Sequence, residues 1–159
     1  MSQSPNPAFL SRAVELAEEN VEKGTGGPFA ALIVRNGEVI AEAANSVTRT
    51  NDPTAHGEVN AIRKACAALG TFSLEGCEIY SSCEPCPMCL AAIYWARLGA
   101  LYYGSSQQDA AKAGFDDAFL YEEFRKNPGE RKILAVQLMR EEAWTAFASW
   151  MKSSAKIEY

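Results

Sequence analysis

Apolar and polar residues alternate along the chain with two different periods, which predict helices and strands. From Phe9 to Val21 the apolar residues recur at helical spacing, and the preceding Asn6–Pro7 pair is typical of a helix start. Two short apolar runs follow, FAALIVR and EVIAEAA, and the Asn36–Gly37 pair between them is a strong signal for a β-hairpin. The chain is therefore predicted to begin with a helix and two antiparallel strands.

The same patterns predict three further strands and several helices after the hairpin. The strands are CEIYSS, ALYYGS and ILAVQLM. Helices are expected from about Thr54 to Leu69, with Asp52 or Thr54 as the cap, over residues 86–97 and over part of 107–126. The last helix carries apolar residues on one face: Trp144, Phe147, Ala148 and Met151.

This order of elements predicts an α/β fold in a single domain that spans residues 1–159. One mixed sheet would be covered by helices on both faces, as a three-layer α/β/α sandwich. The hairpin strands are antiparallel, whereas strands that are joined through a helix are expected to be parallel.

The charge of the chain argues against a long nucleic acid as its partner. The formal net charge is −5, and the densest basic stretches, Arg125–Lys126 and Arg131–Lys132, lie among acidic residues. Proteins that grip nucleic acid usually present a basic surface, because contacts to phosphates supply most of the affinity. A small-molecule ligand is compatible with this charge.

Neither a membrane nor a secretory route is indicated by the apolar pattern. No apolar run reaches the roughly 18 residues needed to cross a bilayer. The N-terminal segment MSQSPNPAFLSRAV lacks the basic and apolar regions of a signal peptide. We therefore expect a cytoplasmic protein, in which closely spaced cysteines bind metal more often than they form disulfides.

Three of the five cysteines lie in one short segment, SSCEPCPMCL, residues 81–90. Cys86 and Cys89 are three positions apart, so on a helix both thiolates point from the same face. A helix N-terminus lowers the pKa of a thiol, which favours the thiolate that zinc binds. Three cysteines do not complete a closed four-ligand site, so a further ligand is expected elsewhere.

The chain has one histidine, His56, in the segment PTAHGEVNAI. A lone histidine is more often structural, but together with Cys86 and Cys89 it would make an open zinc site. Such sites are typical of catalytic zinc, which keeps a position for water. Glu58 would serve beside the metal as general acid and base. On an ideal helix His56 and Glu58 would point about 200° apart, so they can converge only at a helix end.

Cys83 leaves a second interpretation open, a closed structural zinc site in which it is the fourth ligand. It ends a predicted strand ahead of Pro85, however, and so lies off the helix face that carries the other two thiols. This placement favours the catalytic site, with Cys83 as a buried thiol. Cys66 and Cys77 are most simply core residues.

Six segments, two of which contain the zinc motif, resemble those of a known family: GGPFAA, NDPTAHGE, NAIRKACAALG, SCEPCPMCLAAIYWAR, AGFDD and the terminal EY. From about residue 9 to 159 the chain resembles the cytidine-deaminase-like superfamily, and within it the small bacterial guanine deaminases. The combination of H-x-E with P-C-x-x-C is the zinc signature of nucleobase deaminases. One departure from the family pattern is Gly57, where alanine is commoner.

The resemblance implies a five-stranded mixed sheet, one Zn²⁺ per chain and the hydrolytic deamination of guanine to xanthine and ammonia. Glu58 would move protons between the activated water and the ring. Asp117 would be a further proton shuttle toward the departing amine, although it could instead be a helix cap, as could Asp116 beside it.

Four further residues are implied to contact the substrate, and each has a simpler explanation. Asn45 would hydrogen-bond the base, or is a turn residue. Phe29 and Trp95 would wall the pocket, or belong to the core. Tyr159 would reach the active site from a partner chain in a domain-swapped homodimer, whereas a C-terminal residue is by default poorly ordered.

Other activities remain open at this point. Guanosine, cytosine and amino-triazine deaminases share the zinc chemistry and differ in the width of the pocket. A tRNA adenosine deaminase would need a basic surface, which the net charge of −5 disfavours. A zinc-stabilised binding module without catalysis is the alternative from another class, and Glu58 argues against it because a structural site needs no acid beside its metal.

Overall fold

A mixed sheet of four strands organises the first of two units in the chain, Met1–Ala118. The computed structural model describes residues 4–159. The strands are β1 (Ala30–Arg35), β2 (Glu38–Ala44), β3 (Cys77–Cys83) and β4 (Ala100–Ser105). They lie in the order β2-β1-β3-β4, with β1 antiparallel to both of its neighbours and β3 parallel to β4.

The hairpin that joins β1 to β2 forms as predicted. Asn36 and Gly37 both have positive φ, 53° and 80°, the combination that a two-residue type I′ turn requires. Five of the six residues of β1 are buried, which explains why this strand reads as a continuous apolar run: it lies in the interior of the sheet and is covered on both faces.

Five helices accompany the sheet in this unit: α1 (Pro7–Glu22), α2 (Val47–Thr50), α3 (Gly57–Leu69), α4 (Pro87–Trp95) and α5 (Gln107–Lys112). The predicted cap of α1 is confirmed, because the Asn6 side chain accepts a hydrogen bond from the amide of Ala8 at 3.0 Å. The predicted start of α3 is wrong. Asp52 instead accepts hydrogen bonds from the amide and hydroxyl of Thr54, which closes a turn ahead of the helix.

Helices cover both faces of the sheet, so the three-layer α/β/α arrangement is confirmed. On one face, Ala61 and Ala65 of α3 and Ile93 of α4 pack with Ile33 and Ile79 of the strands. On the other face, α1 packs against the sheet through the following residues: Phe9, Leu10 and Ala13, against Leu32, Val34, Tyr80 and Tyr102. Cys77 and partly buried Cys66 belong to the first cluster, as expected for core cysteines.

The second unit, Phe119–Tyr159, contains most of α6 (Ala118–Arg125), a 3₁₀ turn (Pro128–Glu130) and α7 (Arg140–Lys152). Residues 133–139, the predicted fifth strand, form no strand, so the prediction of a five-stranded sheet is wrong and the sheet has four strands over the described residues. An apolar sequence makes a strand only where another strand supplies backbone hydrogen bonds, and this unit contains none. None of its residues is buried.

None of the helices in the described part of the chain combines the length and the apolar character needed to cross a bilayer.

Candidate metal centre and active site

The three predicted zinc ligands converge where two helices begin. His56 is the N-cap of α3, Cys86 is the N-cap of α4, and Cys89 lies in the first turn of α4. The Nδ1 atom of His56 lies 3.6 Å from Sγ of Cys86 and 3.4 Å from Sγ of Cys89. All three donor atoms lie within 4.8 Å of one another.

This donor set fits zinc. Typical Zn–N and Zn–S bonds of about 2.0 and 2.3 Å, set at the tetrahedral angle, leave their donor atoms about 3.5 Å apart, which matches both N···S distances. The cluster contains three protein donors and does not include Cys83, whose thiol instead donates to the carbonyl of Ser106 at 3.7 Å. An open site with three ligands is the arrangement of catalytic zinc.

Backbone conformation at the helix starts explains why the side chains converge. His56 has φ −71° and ψ 156°, an extended conformation outside α3, and its side chain does not cap the helix. The 200° separation of an ideal helix therefore does not apply between His56 and Glu58. The two residues lie at a helix end, where the sequence predicts that they can converge. Cys86 has the same extended backbone, and Pro87 follows at the first helical position, where proline is favoured.

Electrostatics of the cluster favour a thiolate. Hydrogen bonds from the Cys89 thiol and, to a smaller extent, from His56 lower the pKa of Cys86. The hydrogen bond between the Cys89 thiol and Cys86, together with burial, raises the pKa of Cys89. The thiolate of Cys86 in turn raises the pKa of His56. A lowered thiol pKa at Cys86 favours the thiolate form that binds a divalent metal.

Glu58 is the buried acid of the site. It lies in the first turn of α3 with 6% of its surface exposed. Burial away from water is the main cause that raises its carboxyl pKa above the ordinary value. A carboxyl group with a raised pKa takes up and releases protons closer to neutral pH, as a general acid and base requires.

A cavity of about 660 Å³ opens above this cluster within the first unit. Its walls include His56, Glu58 and Cys86, so a ligand in the cavity reaches both the metal position and the buried acid. Two of the sequence-predicted substrate contacts, Phe29 and Asn45, also line it, as does the predicted proton shuttle Asp117.

Asn45 presents an oriented hydrogen-bond donor to the cavity. Its Oδ1 accepts hydrogen bonds from the amides of Gly27 at 3.4 Å and Val47 at 3.2 Å, which leaves the Nδ2 group to donate elsewhere. Asn20 holds the backbone of the same residue, because its Nδ2 donates to the carbonyl oxygen of Asn45 at 2.9 Å. At Gly26 any Cβ would lie 2.1 Å from that oxygen, so only glycine permits this approach.

Aromatic and acidic side chains form the opposite part of the cavity. Phe29 meets Phe115 edge to face, with 4.9 Å between the ring centres. Phe115 was not among the predicted site residues, although it stands inside the AGFDD segment that carried the resemblance. Asp116 accepts a hydrogen bond from the amide of Ala118, the first residue of α6, at 2.9 Å, while desolvation raises the pKa of Asp117.

Trp95 does not line this cavity within the single chain, and its contact with a substrate stays a prediction. The residue is 65% exposed and lines a separate surface depression with Ala91, Tyr94 and Arg97. Trp95 lies six helical positions after Cys89, about 600° of rotation, so its side chain leaves α4 about 120° away from that of Cys89. Tyr159 belongs to the second unit and is 71% exposed; its contact with a substrate stays a prediction.

Comparisons with known proteins agree with this geometry. Residues 3–105 match the sequence model of the cytidine and deoxycytidylate deaminase zinc-binding region. Guanine deaminase from Bacillus subtilis (strain 168) is 54% identical over 151 residues, which are 95% of this chain and 97% of that protein. The X-ray structure of a guanine deaminase from Bacillus subtilis matches with a TM-score of 0.95 and 52% identity, over 98% of this chain and 99% of that one.

The chain is also similar, over a shorter stretch, to a tRNA-specific deaminase. The tRNA-specific adenosine deaminase from Aquifex aeolicus (strain VF5) is 44% identical over 97 residues, 61% of this chain and 64% of that protein. In this chain one histidine and two cysteines form a cluster that could hold a metal ion, and the acid Glu58 is buried. The chain therefore belongs to the cytidine and deoxycytidylate deaminase family, defined by its zinc-binding region.

Proposed function

We propose that this chain is a zinc-dependent guanine deaminase, which converts guanine and water to xanthine and ammonia. The observation that carries the proposal is an open cluster of His56, Cys86 and Cys89, with the buried carboxyl of Glu58 on the wall of the same cavity. The likeness to the guanine deaminase of Bacillus subtilis over 95% of this chain supports guanine as the substrate. The cysteine ligands must stay reduced to bind zinc, and the cytoplasm keeps thiols reduced, so we expect the protein to act there.

The reaction replaces the C2 amino group of guanine with an oxygen from water. A zinc ion held by the three ligands supplies Lewis-acid activation of that water. The carboxyl group of Glu58 accepts one proton from the water and passes it to N3 of the ring, while the water oxygen bonds to C2. It then takes the second proton from that oxygen and passes it to the amino group, and the bond between C2 and the amino nitrogen breaks. Ammonia leaves, and the products balance the atoms of guanine and water.

The other cavity residues bind and orient the base. The Nδ2 group of Asn45 donates to a carbonyl or ring-nitrogen acceptor of guanine, because its Oδ1 is occupied by two backbone amides. Phe29 and Phe115 offer aromatic surface to the planar ring. Asp117 lines the cavity and would stabilise the proton on the departing amine.

We infer in addition that the protein is a homodimer, in which the C-terminal unit of one copy is covered by the other. No residue of Phe119–Tyr159 is buried, and α7 exposes a large apolar set: Trp144, Phe147, Trp150 and Met151. A contiguous apolar surface of this kind marks an interaction site. In this arrangement Tyr159 contacts the substrate of the partner, and the two units act as one deaminase domain.

A screen for ammonia release tests the substrate. The purified zinc-loaded protein is incubated with guanine, guanosine, adenine, cytosine, a small amino-triazine and an unmodified tRNA transcript. The proposal predicts turnover of guanine well above that of the other compounds. An inert guanine beside turnover of another base or nucleoside would keep the zinc chemistry and refute the substrate. Ammonia from tRNA alone would favour the nucleic-acid enzyme.

A further inference from the structure

A serine inside the sheet holds the buried acid. Ser81, on β3, is 2% exposed, and its hydroxyl donates a hydrogen bond to Oε1 of Glu58 at 3.3 Å. This distance is longer than the usual O–H···O spacing, as is common at catalytic groups before a substrate binds. Ser81 lies outside the zinc motif and was not among the residues that the sequence singled out.

We propose that Ser81 is a positioning residue for the deamination, which fixes the carboxyl group of Glu58 toward the cavity. The inference rests on the role of Glu58 in the proposed function. A glutamate side chain has three rotatable bonds, and a general base must lie within about 3 Å of the proton that it takes. A donor on one carboxyl oxygen restricts the rotation and leaves the other oxygen for the reactants.

Metal binding makes this donor more important. The Cys89 thiol lies close enough to the Glu58 carboxyl to affect the pKa of that group. Cysteine binds zinc as a thiolate, and a thiolate has no proton to donate. The hydroxyl of Ser81 is a donor that ligation of zinc does not remove.

The sheet supplies the rigidity that such a role needs. Ser81 lies on an interior strand, where its backbone pairs with Ala31 of β1 and Tyr103 of β4. Its neighbour Ser82 is similarly buried, but its hydroxyl accepts a hydrogen bond from the amide of Ala30 at 3.0 Å. Successive side chains of a strand point to opposite faces. The two serines therefore form a matched pair, one bound to the acid and one bound to backbone.

The test compares Ser81→Ala with Ser82→Ala on zinc-loaded protein and guanine. For Ser81→Ala we expect kcat to fall about tenfold, because a hydrogen bond to a charged group is lost, with KM and the zinc content unchanged. Ser82→Ala should lower the melting temperature, because a buried amide loses its acceptor, and should keep kcat. Ser81→Thr, which keeps the hydroxyl, should restore most of the rate.

A purely structural serine would give a different result. A kcat for Ser81→Ala within twofold of the parent overturns the inference, as does an equal loss of kcat in Ser82→Ala. If Ser81→Ala does not fold, Ser81→Cys keeps the size with a weaker donor, and a parental kcat in that variant also overturns it. The Glu58→Gln variant distinguishes failure of the proposed function from failure of the positioning role. If Glu58→Gln stays active, the proposed function fails. If Glu58→Gln is inactive and Ser81→Ala is fully active, only the positioning role is refuted.

Discussion

Gly57, between the histidine ligand and the buried acid, lies against the start of β1. A Cβ at this position would be 2.9 Å from Cα of Ala30 and 3.2 Å from the carbonyl oxygen of Phe29. Glycine at this position therefore permits the close approach of α3 to β1. The missing side chain lets the first turn of α3 bring His56 and Glu58 to the cavity.

The Gly57→Ala variant should therefore be destabilised, by about 1–3 kcal/mol, as is usual when a methyl group is forced into a packed region. Its affinity for zinc should fall as well, because His56 moves with the backbone. Denaturant unfolding and titration of the apoprotein with zinc measure the two effects. Gly99→Ala is the matched control, since its Cβ would meet the carbonyl oxygen of Cys77 at an ordinary 3.6 Å; equal stability of the two variants would contradict the packing argument.

The zinc ligands were predictable from the sequence, because residue type and spacing alone limit which side chains can share a metal. The orientation of Asn45 was not, since it depends on two backbone amides that only the folded loop brings together. The position of Trp95 was not predictable either. Its place in a recognisable motif suggested the cavity, whereas in the single chain it lines a separate surface depression.

At the scale of helices and strands, the N-termini of α3 and α4 build the centre, and the sequence located both helices. It misplaced the first residue of α3, because the capping signals of Asp52 and Thr54 serve a turn. It also read residues 133–139 as a strand. The local sequence pattern shows which residues suit a strand. Whether they form one depends on a neighbouring strand, which the local pattern does not identify.

An ion-pair network ties α1 to the sheet and predicts how stability depends on pH. Arg12 contacts Glu42 of β2 through two hydrogen bonds, 2.8 and 3.0 Å long, and Glu19 of its own helix at 3.0 Å. The hydrogen bonds from Arg12 are the main cause that lowers the pKa of Glu42. Because the folded pKa lies below the unfolded value, this stabilisation is complete above the ordinary glutamate pKa near 4.5 and is lost as the pH falls through the folded pKa.

The Arg12→Ala variant should thus melt at a lower temperature than the parent at pH 7, and the difference should shrink as the pH drops below about 4.5. Thermal melts over a pH series measure it. Arg125→Ala removes an exposed pair with Glu122 inside one helix and should change the melt little at any pH. A difference for Arg12→Ala that is constant with pH would contradict the role of the Glu42 carboxylate.

In the whole molecule, the C-terminal unit is the part whose burial would differ between an isolated chain and the proposed dimer. The sequence indicated an apolar face on the last helix, but not that the unit around it buries none of its residues. Partner contacts leave no mark in single-chain periodicity, because an apolar face looks the same whether it covers its own core or that of a second copy.

Deletion of Ile157–Tyr159 should lower guanine turnover sharply, because Tyr159 is lost from the partner's site, and should leave the zinc content and the melt of the first unit unchanged. Co-expression with the Glu58→Gln chain then tests the exchange. In mixed dimers the truncated chain keeps its own acid and receives the tail of the other, so activity should return. No recovery, or full activity of the truncated chain alone, would refute the swapped tail.

In the proposed reaction the buried carboxyl of Glu58, beside a three-ligand zinc centre, moves the protons during the deamination of guanine. The most direct test measures xanthine formation by the Glu58→Gln variant and the parent, with zinc determined on the same samples. We predict one zinc per chain in both proteins and a loss of about a hundred- to ten-thousandfold in kcat for the variant, the usual contribution of a general acid and base. Parental turnover by a zinc-loaded Glu58→Gln protein would contradict the account.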